Sequence, residues 1–278
     1  MPRVAIVTDS TACLPTATDD VCVVPLRVHL GSRTAVDGVD VTPAEVVAAL
    51  RSKVAVSTSR PSPAEFATVY RSLLDDGADH VVSIHLAAAL SGTWESAVLA
   101  SQDFGYGAVR VVDSRGTAAG LGYAVAAAAQ AAASGASAAE VQQAATTVVD
   151  RTRTLFYVDT LEYLRRGGRI GTAAALFATS LSVKPLLHVV EGQIVALEKV
   201  RTPTRALARL VALTANAAGG GPVDVTVHHL MAEARAQTVA TQLRAAIPTI
   251  GELRVSELGP VLGAHLGPGT IGTILVRR

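Results

Sequence analysis

The chain has 278 residues, 50% of them hydrophobic and 17% charged, with a net charge of +1. These figures suit a globular protein of one large or two small domains; they exclude a disordered chain and offer no bulk attraction for nucleic acid or a membrane surface. Cys13 and Cys22 form neither a CxxC pair nor part of a zinc ligand set, which predicts a reducing, cytoplasmic setting and no metal or other cofactor.

Val4–Val7 is too short for the apolar core of a secretory signal, and Asp9 follows it. The longest apolar stretch, Leu121–Ala133, is mostly alanine, carries Gln130 and is too short to span a bilayer, so no membrane insertion is expected.

Arg3–Val7 reads as a buried strand, with further strand material at Val21–Val24 and Arg27–Leu30. Thr42-Pro43-Ala44-Glu45 has the form of a capping box with proline at the first helical position, so a helix runs from there to about Arg51. Ser62-Pro63-Ala64-Glu65 repeats the device and opens a helix through Leu74, which Gly77 ends. His80–Leu86 reads as a strand, Glu95–Ala100 as a helix and Ala108–Val112 as a strand. An alanine-rich helix follows from about Thr117, and Ser137 caps another. Strands alternating with helices through residue 150 predict an α/β domain with a mostly parallel sheet flanked by helices.

The second half changes character. Leu155–Val158 reads as a strand, Leu161–Leu164 as a short helix, and Ser182–Val190 with Gln193–Val200 as a hairpin turning at Glu191-Gly192. A helix from Thr202-Pro203 to about Ala218, a strand at Val223–His229, a helix at Ala232–Ala245 and strands at Glu252–Ser256 and Thr270–Val276 complete an α+β pattern. The expected division is 1–154 and 155–278, with a ligand cleft between the halves.

Four stretches carry chemistry. Ser91-Gly92-Thr93-Trp94 lies at a strand-to-helix junction, where unpaired N–H groups, the helix dipole and hydroxyl donors favour an anion. The plain alternative is that Ser91 only caps the helix. Polar clusters also end other apolar runs: Thr8-Asp9-Ser10-Thr11, Ser57-Thr58-Ser59 and Asp113-Ser114. In an open α/β sheet those strand ends are where ligands bind. Arg165-Arg166-Gly167-Gly168-Arg169 puts three cations on a backbone that can bend; alone it also fits a helix end stopped by glycine. Gly263–Gly269 reads as a forced turn presenting His265 to the cleft, and Thr58-Ser59-Arg60 as hydroxyls before a helix start.

Taken in order, Thr8–Thr11, Thr58-Ser59 with Pro61-Ser62, Ser91–Thr93, Val112–Ser114, Leu164–Ile170, Glu198–Thr202 and His265–Gly269 resemble the DegV family of bacterial fatty-acid-binding proteins across essentially the whole chain. The resemblance implies two domains with a long-chain fatty acid buried between them. It implies a carboxylate held by hydroxyls matching Thr58, Ser59 and Ser91, beside Gly92 and Thr93, with Arg169 and His265 nearby. It further implies a non-catalytic role in phospholipid metabolism: a separate kinase subunit of dihydroxyacetone-kinase type phosphorylates the presented carboxylate. Arg165, Arg166, Lys199 and Arg201 are the expected docking cations for that subunit. Two positions depart from the family pattern: Arg60 stands where glutamine is common, and Trp94 where tyrosine is.

The competing expectation is an esterase or acyltransferase with Ser91 as nucleophile, His265 as base and Asp9 or Asp113 as orienter. The segment around Ser91 lacks the G-x-S-x-G elbow of α/β-hydrolases. There is no Walker lysine motif and no G-x-G-x-x-G for a nucleotide.

Overall fold

A computed structural model describes residues 3–14, 20–171, 173–174 and 184–278. The first half contains β1 (Val4–Asp9), β2 (Val21–Val24), β3 (Arg27–Leu30), β4 (Arg33–Val36), α1 (Pro43–Arg51), β5 (Val56–Ser59), α2 (Pro63–Asp75), β6 (His80–His85), α3 (Thr93–Ser101), β7 (Val109–Asp113), α4 (Ala119–Ala133) and α5 (Ala138–Arg151). The second contains β8 (Thr152–Tyr157), α6 (Glu162–Arg166), β9 (Lys184–Val190), β10 (Gln193–Val200), α7 (Pro203–Ala218), β11 (Val223–His229), α8 (Glu233–Ala246), β12 (Ile250–Glu257), α9 (Pro260–Leu266) and β13 (Ile271–Arg277).

The helix starts read from sequence are capped as expected. Thr42, Ser62 and Ser137 each accept from the N–H of the glutamate three residues on, and that glutamate accepts from the capping residue's own N–H. Each box satisfies two donors that a helix start leaves open.

One sheet has the order β2-β1-β6-β7 and is parallel throughout. Strand alternation divides its side chains. Ile6 and Val82 face a core shared with Leu121, Val125 and Val141 of α4 and α5. Val7 and Val81 face Phe66, Tyr70 and Ala97 of α2 and α3. Helices on both faces make this the expected doubly covered parallel sheet.

The second sheet has the order β10-β9-β8-β13-β11-β12, antiparallel except between β11 and β12. Leu155, Tyr157, Val225, Val227, Ile271 and Leu275 pack under α7 and α8. Residues of the opposite parity, such as Thr154, Phe156, His228 and Ile274, therefore point to the other face. The hairpin expected over Ser182–Val200 is present from Lys184, and Ser182 and Val183 lie outside the described residues.

A third sheet, β4-β3-β5, is small and antiparallel. Its core joins Leu26, Val28 and Ala35 to Val46 and Leu50 of α1 and to Val261 and Ala264 of α9. Thr58 and Ser59 sit on strand β5, just ahead of the start of α2. Arg33–Val36, which the sequence reading did not assign, forms β4 by pairing along β3. One sequence expectation is corrected here. His265 lies on the short helix α9, not in a forced turn. Gly259-Pro260 opens that helix and Gly267, at φ +74°, closes it.

Candidate functional site

Packing α9 against β3 and β5 carries a C-terminal histidine to an N-terminal strand. His265 Nε2 lies 2.8 Å from Thr58 Oγ1, a bond spanning 207 positions of sequence. Adjacent strand residues point to opposite faces, so Ser59 is turned away and its hydroxyl bonds His29 Nε2 at 2.9 Å. Only the first of these two hydroxyls reaches the cavity described next.

That cavity is about 100 Å³ in volume and lies between α9 and the face of the six-stranded sheet turned away from α7 and α8. Its walls are mainly apolar, including Leu86, Leu90, Phe156, Val189, Ile194 and Leu266. Four of the expected site residues line it: Thr58, Ser91, Arg169 and His265. Gly92 and Thr93 do not.

The Ser91 loop is suspended from two carboxylates at strand ends. Asp9, at the end of β1, accepts from the N–H of Leu86 at 2.9 Å, and Asp113, at the end of β7, accepts from Ala88 N–H at 3.3 Å. The strand order reverses direction between β1 and β6, the switch point at which open α/β sheets bind ligands. Ser91 Oγ accepts from the N–H of Thr93 at 3.3 Å and lies 2.9 Å from the Thr93 hydroxyl. Gly92 is the N-cap residue of α3, so Ser91 stands one position before the cap. Gly92 is also the platform for Arg60: a Cβ there would lie 1.5 Å from Arg60 Nη1, while the same guanidinium pairs with Glu95 at 3.3 Å.

The arginine–glycine loop closes the same end. Arg169 donates from Nε to the carbonyl of Leu90 at 3.1 Å and from Nη1 to the carbonyl of Gly167. Gly167 lies against the His265 ring, where a Cβ would come within 2.3 Å of Nδ1. That Nδ1 is buried and has no hydrogen-bond partner among the described residues. Burial, and then the charge of Arg169, push the His265 imidazole down from 6.5 to about 4. It is therefore neutral near pH 7. When Thr58 donates to Nε2, the ring proton sits on Nδ1 as a free donor.

The residues invoked for a serine hydrolase are each committed elsewhere. Asp9 Oδ2 bonds His85 Nδ1 at 3.1 Å, His85 Nε2 bonds Ser83 Oγ at 2.6 Å, and Tyr70 donates to Ser83 at 2.8 Å. All four are fully buried. Asp113 accepts from Arg115 N–H at 2.8 Å. Ser91 bonds Thr93, and His265 bonds Thr58. Among the described residues these groups do not assemble a nucleophile, base and orienter.

The cations expected for docking fall in two places. Arg165 and Arg166 are exposed on α6, with Arg166 paired to Glu162 one turn back. Lys199 is exposed near the end of β10, and Arg201 is exposed just beyond it. No group of three or more His, Cys, Asp or Glu among the described residues is placed to hold a metal, and no described helix is long and apolar enough to cross a membrane.

Sequence reading missed the apolar walls, because Leu, Val and Ile are what any core uses. It also missed the Asp9–His85–Ser83–Tyr70 chain. Its visible signal was the alternation Ser83, His85 on one face of a strand otherwise made of apolar residues.

A mostly apolar cavity on which hydroxyl, imidazole and guanidinium groups converge has the make-up of a site for an apolar molecule with an anionic end. The family model for "Uncharacterised protein, DegV family" matches residues 3–278, and this chain belongs to the DegV family. A DegV domain-containing protein of Streptomyces coelicolor is 48% identical over 279 residues, covering 99% of each chain. A DegV-family protein from Thermus thermophilus, described as fatty-acid binding, superposes with a TM-score of 0.93 at 36% identity, over 99% of this chain and 100% of that one. DegV from Bacillus subtilis, described as a fatty acid binding protein, gives 0.89 at 30% identity and covers 100% of both chains.

Proposed function

We propose that the cavity holds a long-chain fatty acid, with its carboxylate among Thr58, Ser91, Arg169 and His265. The observation that carries this reading is the convergence of those four side chains on one apolar cavity. Burying a carboxylate is costly unless donors or a cation meet its charge. The Ser91 hydroxyl, the Arg169 guanidinium and the one proton that the hydrogen-bonded Thr58–His265 pair leaves free supply both. The acyl chain needs only the apolar remainder. Similarity to fatty-acid-binding DegV proteins from T. thermophilus and B. subtilis supports the same ligand.

The protein acts as a presenter with no turnover of its own. A separate kinase subunit of dihydroxyacetone-kinase type transfers phosphate to the exposed oxygen of the bound carboxylate, yielding an acyl-phosphate for phospholipid metabolism. Its docking surface includes Arg165, Arg166, Lys199 and Arg201. Ser59, Gly92 and Thr93 shape the site without lining the cavity: Thr93 fixes the Ser91 hydroxyl, and Gly92 admits Arg60. The test is a reconstitution with labelled ATP, palmitate and such a kinase subunit. Acyl-phosphate forms only when this protein is included. Equal formation without it would refute the presenting role.

A further inference from the structure

The cavity floor contains a glycine that the fold does not require. On the sheet face turned to the cavity, Phe156 of β8, Gly272 of β13 and His228 of β11 are direct cross-strand neighbours. Thr154 and Ile274 form the adjoining row, with Thr226 opposite Ile274. Going the other way along β13 the chain reaches Thr270 and then α9, which carries His265. The floor therefore runs from the polar end, over Gly272, to the Thr154–Ile274 row.

Glycine in a central strand weakens it, and usually marks a bulge, a left-handed backbone or a close approach. None of the protein's own features calls for one here. Gly272 is not at positive φ, and its pairing with β8 and β11 is regular. A Cβ built on it would meet nothing nearer than Phe156 Cβ at 3.6 Å and His228 Cβ at 3.8 Å, which is ordinary contact. The contrast with glycines that the fold requires is clear: a Cβ on Gly122 would lie 2.2 Å from the Cys13 carbonyl oxygen, and one on Gly167 2.3 Å from His265 Nδ1. Gly272 and both flanking residues line the cavity. What a side chain at 272 would occupy is cavity space.

We propose that Gly272 sets the length of acyl chain the protein accepts, by letting the chain run along β13 between Phe156 and His228. The flanking side chains keep the groove narrow. His228 is satisfied on both ring nitrogens, accepting from Ala119 N–H at 3.2 Å and bonding the Ser256 carbonyl at 3.3 Å, so it offers the chain a wall and not a polar partner. A residue larger than glycine closes the passage and leaves only the segment between the polar end and position 272. This inference rests on the cavity being an acyl-chain site.

The test compares the parent with Gly272→Ala and Gly272→Val, measuring affinity for saturated acids from octanoate to stearate and the thermal midpoint without ligand. The expected result is that both variants fold with midpoints at or above the parent's, since a strand gains from a side chain here. Gly272→Val should lose roughly tenfold in affinity for palmitate, equivalent to about two displaced methylenes, while octanoate affinity holds. Gly272→Ala should fall between. Variants that follow the parent's length profile, or that fail to fold, overturn the proposal. A parent that binds no acid in the series overturns the acyl-chain reading itself, and is recognised without either variant.

Discussion

The imidazole of His265 and the hydroxyl of Thr58 meet at 2.8 Å across 207 residues of chain. The contact exists because α9 packs on the small β4-β3-β5 sheet, so the last part of the chain completes a site begun near its start. It gives the two neighbouring hydroxyls of β5 unequal roles. Thr58→Val removes the His265 partner and so the donor that the Thr58–His265 pair presents to the head group, and should weaken fatty-acid binding by about 1.5–3 kcal/mol, roughly ten- to a hundredfold. Ser91→Ala should cost a similar amount. Ser59→Ala, which loses only its bond to His29, should leave affinity within about twofold, or ~0.5 kcal/mol. Displacement of a fluorescent fatty acid measures all three, and equal losses from Thr58→Val and Ser59→Ala would contradict the assignment.

Gly167 and His265 should be energetically coupled. A methyl at 167 would sit 2.3 Å from Nδ1, so Gly167→Ala must displace the ring or the loop and should cost about 1–3 kcal/mol in urea unfolding. In a His265→Ala background the same change should cost much less. Additive losses in the double variant would show that the loop does not bear on the ring.

Much of the architecture was legible because it is encoded locally. The three capping boxes at Thr42, Ser62 and Ser137 place helix starts by hydrogen bonds within four residues. The β1 and β6 strands announce themselves as largely apolar runs, and β11 as an alternation of valine with polar residues. What could not be read depends on tertiary contact. Strand β5 is four residues of Val-Ser-Thr-Ser and acquires its character only by pairing with β3. Helix α9 contains Gly263, which reads as a loop signal; its Cβ position lies 3.3 Å from Leu230, so the glycine serves helix packing. The polar half of the site was visible as motifs. The apolar half was not, since cavity walls and core share one composition.

Acid should loosen the protein through two histidines. His265 and His228 are both held down from 6.5 to about 4, in each case by burial first, then by Arg169 for His265; for His228 the charge of His229 adds to burial while its bond to Ser256 opposes it. The unfolded chain binds their protons at higher pH than the folded one does. Their contribution is thus intact above pH 6.5, declines as pH falls from 6.5 towards 4, and levels off below that. Unfolding free energies measured across that range should slope upward with pH, and His265→Gln should flatten the slope. An unchanged slope would mean that His265 is not buried neutral.

The docking cations should affect transfer and not lipid binding. Arg201 is exposed beyond β10 and lines no part of the cavity. Arg201→Glu should slow acyl-phosphate formation by the kinase subunit, more strongly at low salt, with fatty-acid affinity unchanged. Parent-like transfer at low salt would remove Arg201 from the interface.

The most direct measurement is a native mass spectrum of the protein purified from a bacterial host, paired with mass spectrometry of its organic extract. The account predicts a bound species heavier than the polypeptide by one long-chain fatty acid, released on denaturation and recovered in the extract without covalent attachment to Ser91. A spectrum of bare polypeptide with no fatty acid in the extract, or an acyl group fixed on Ser91, would contradict it.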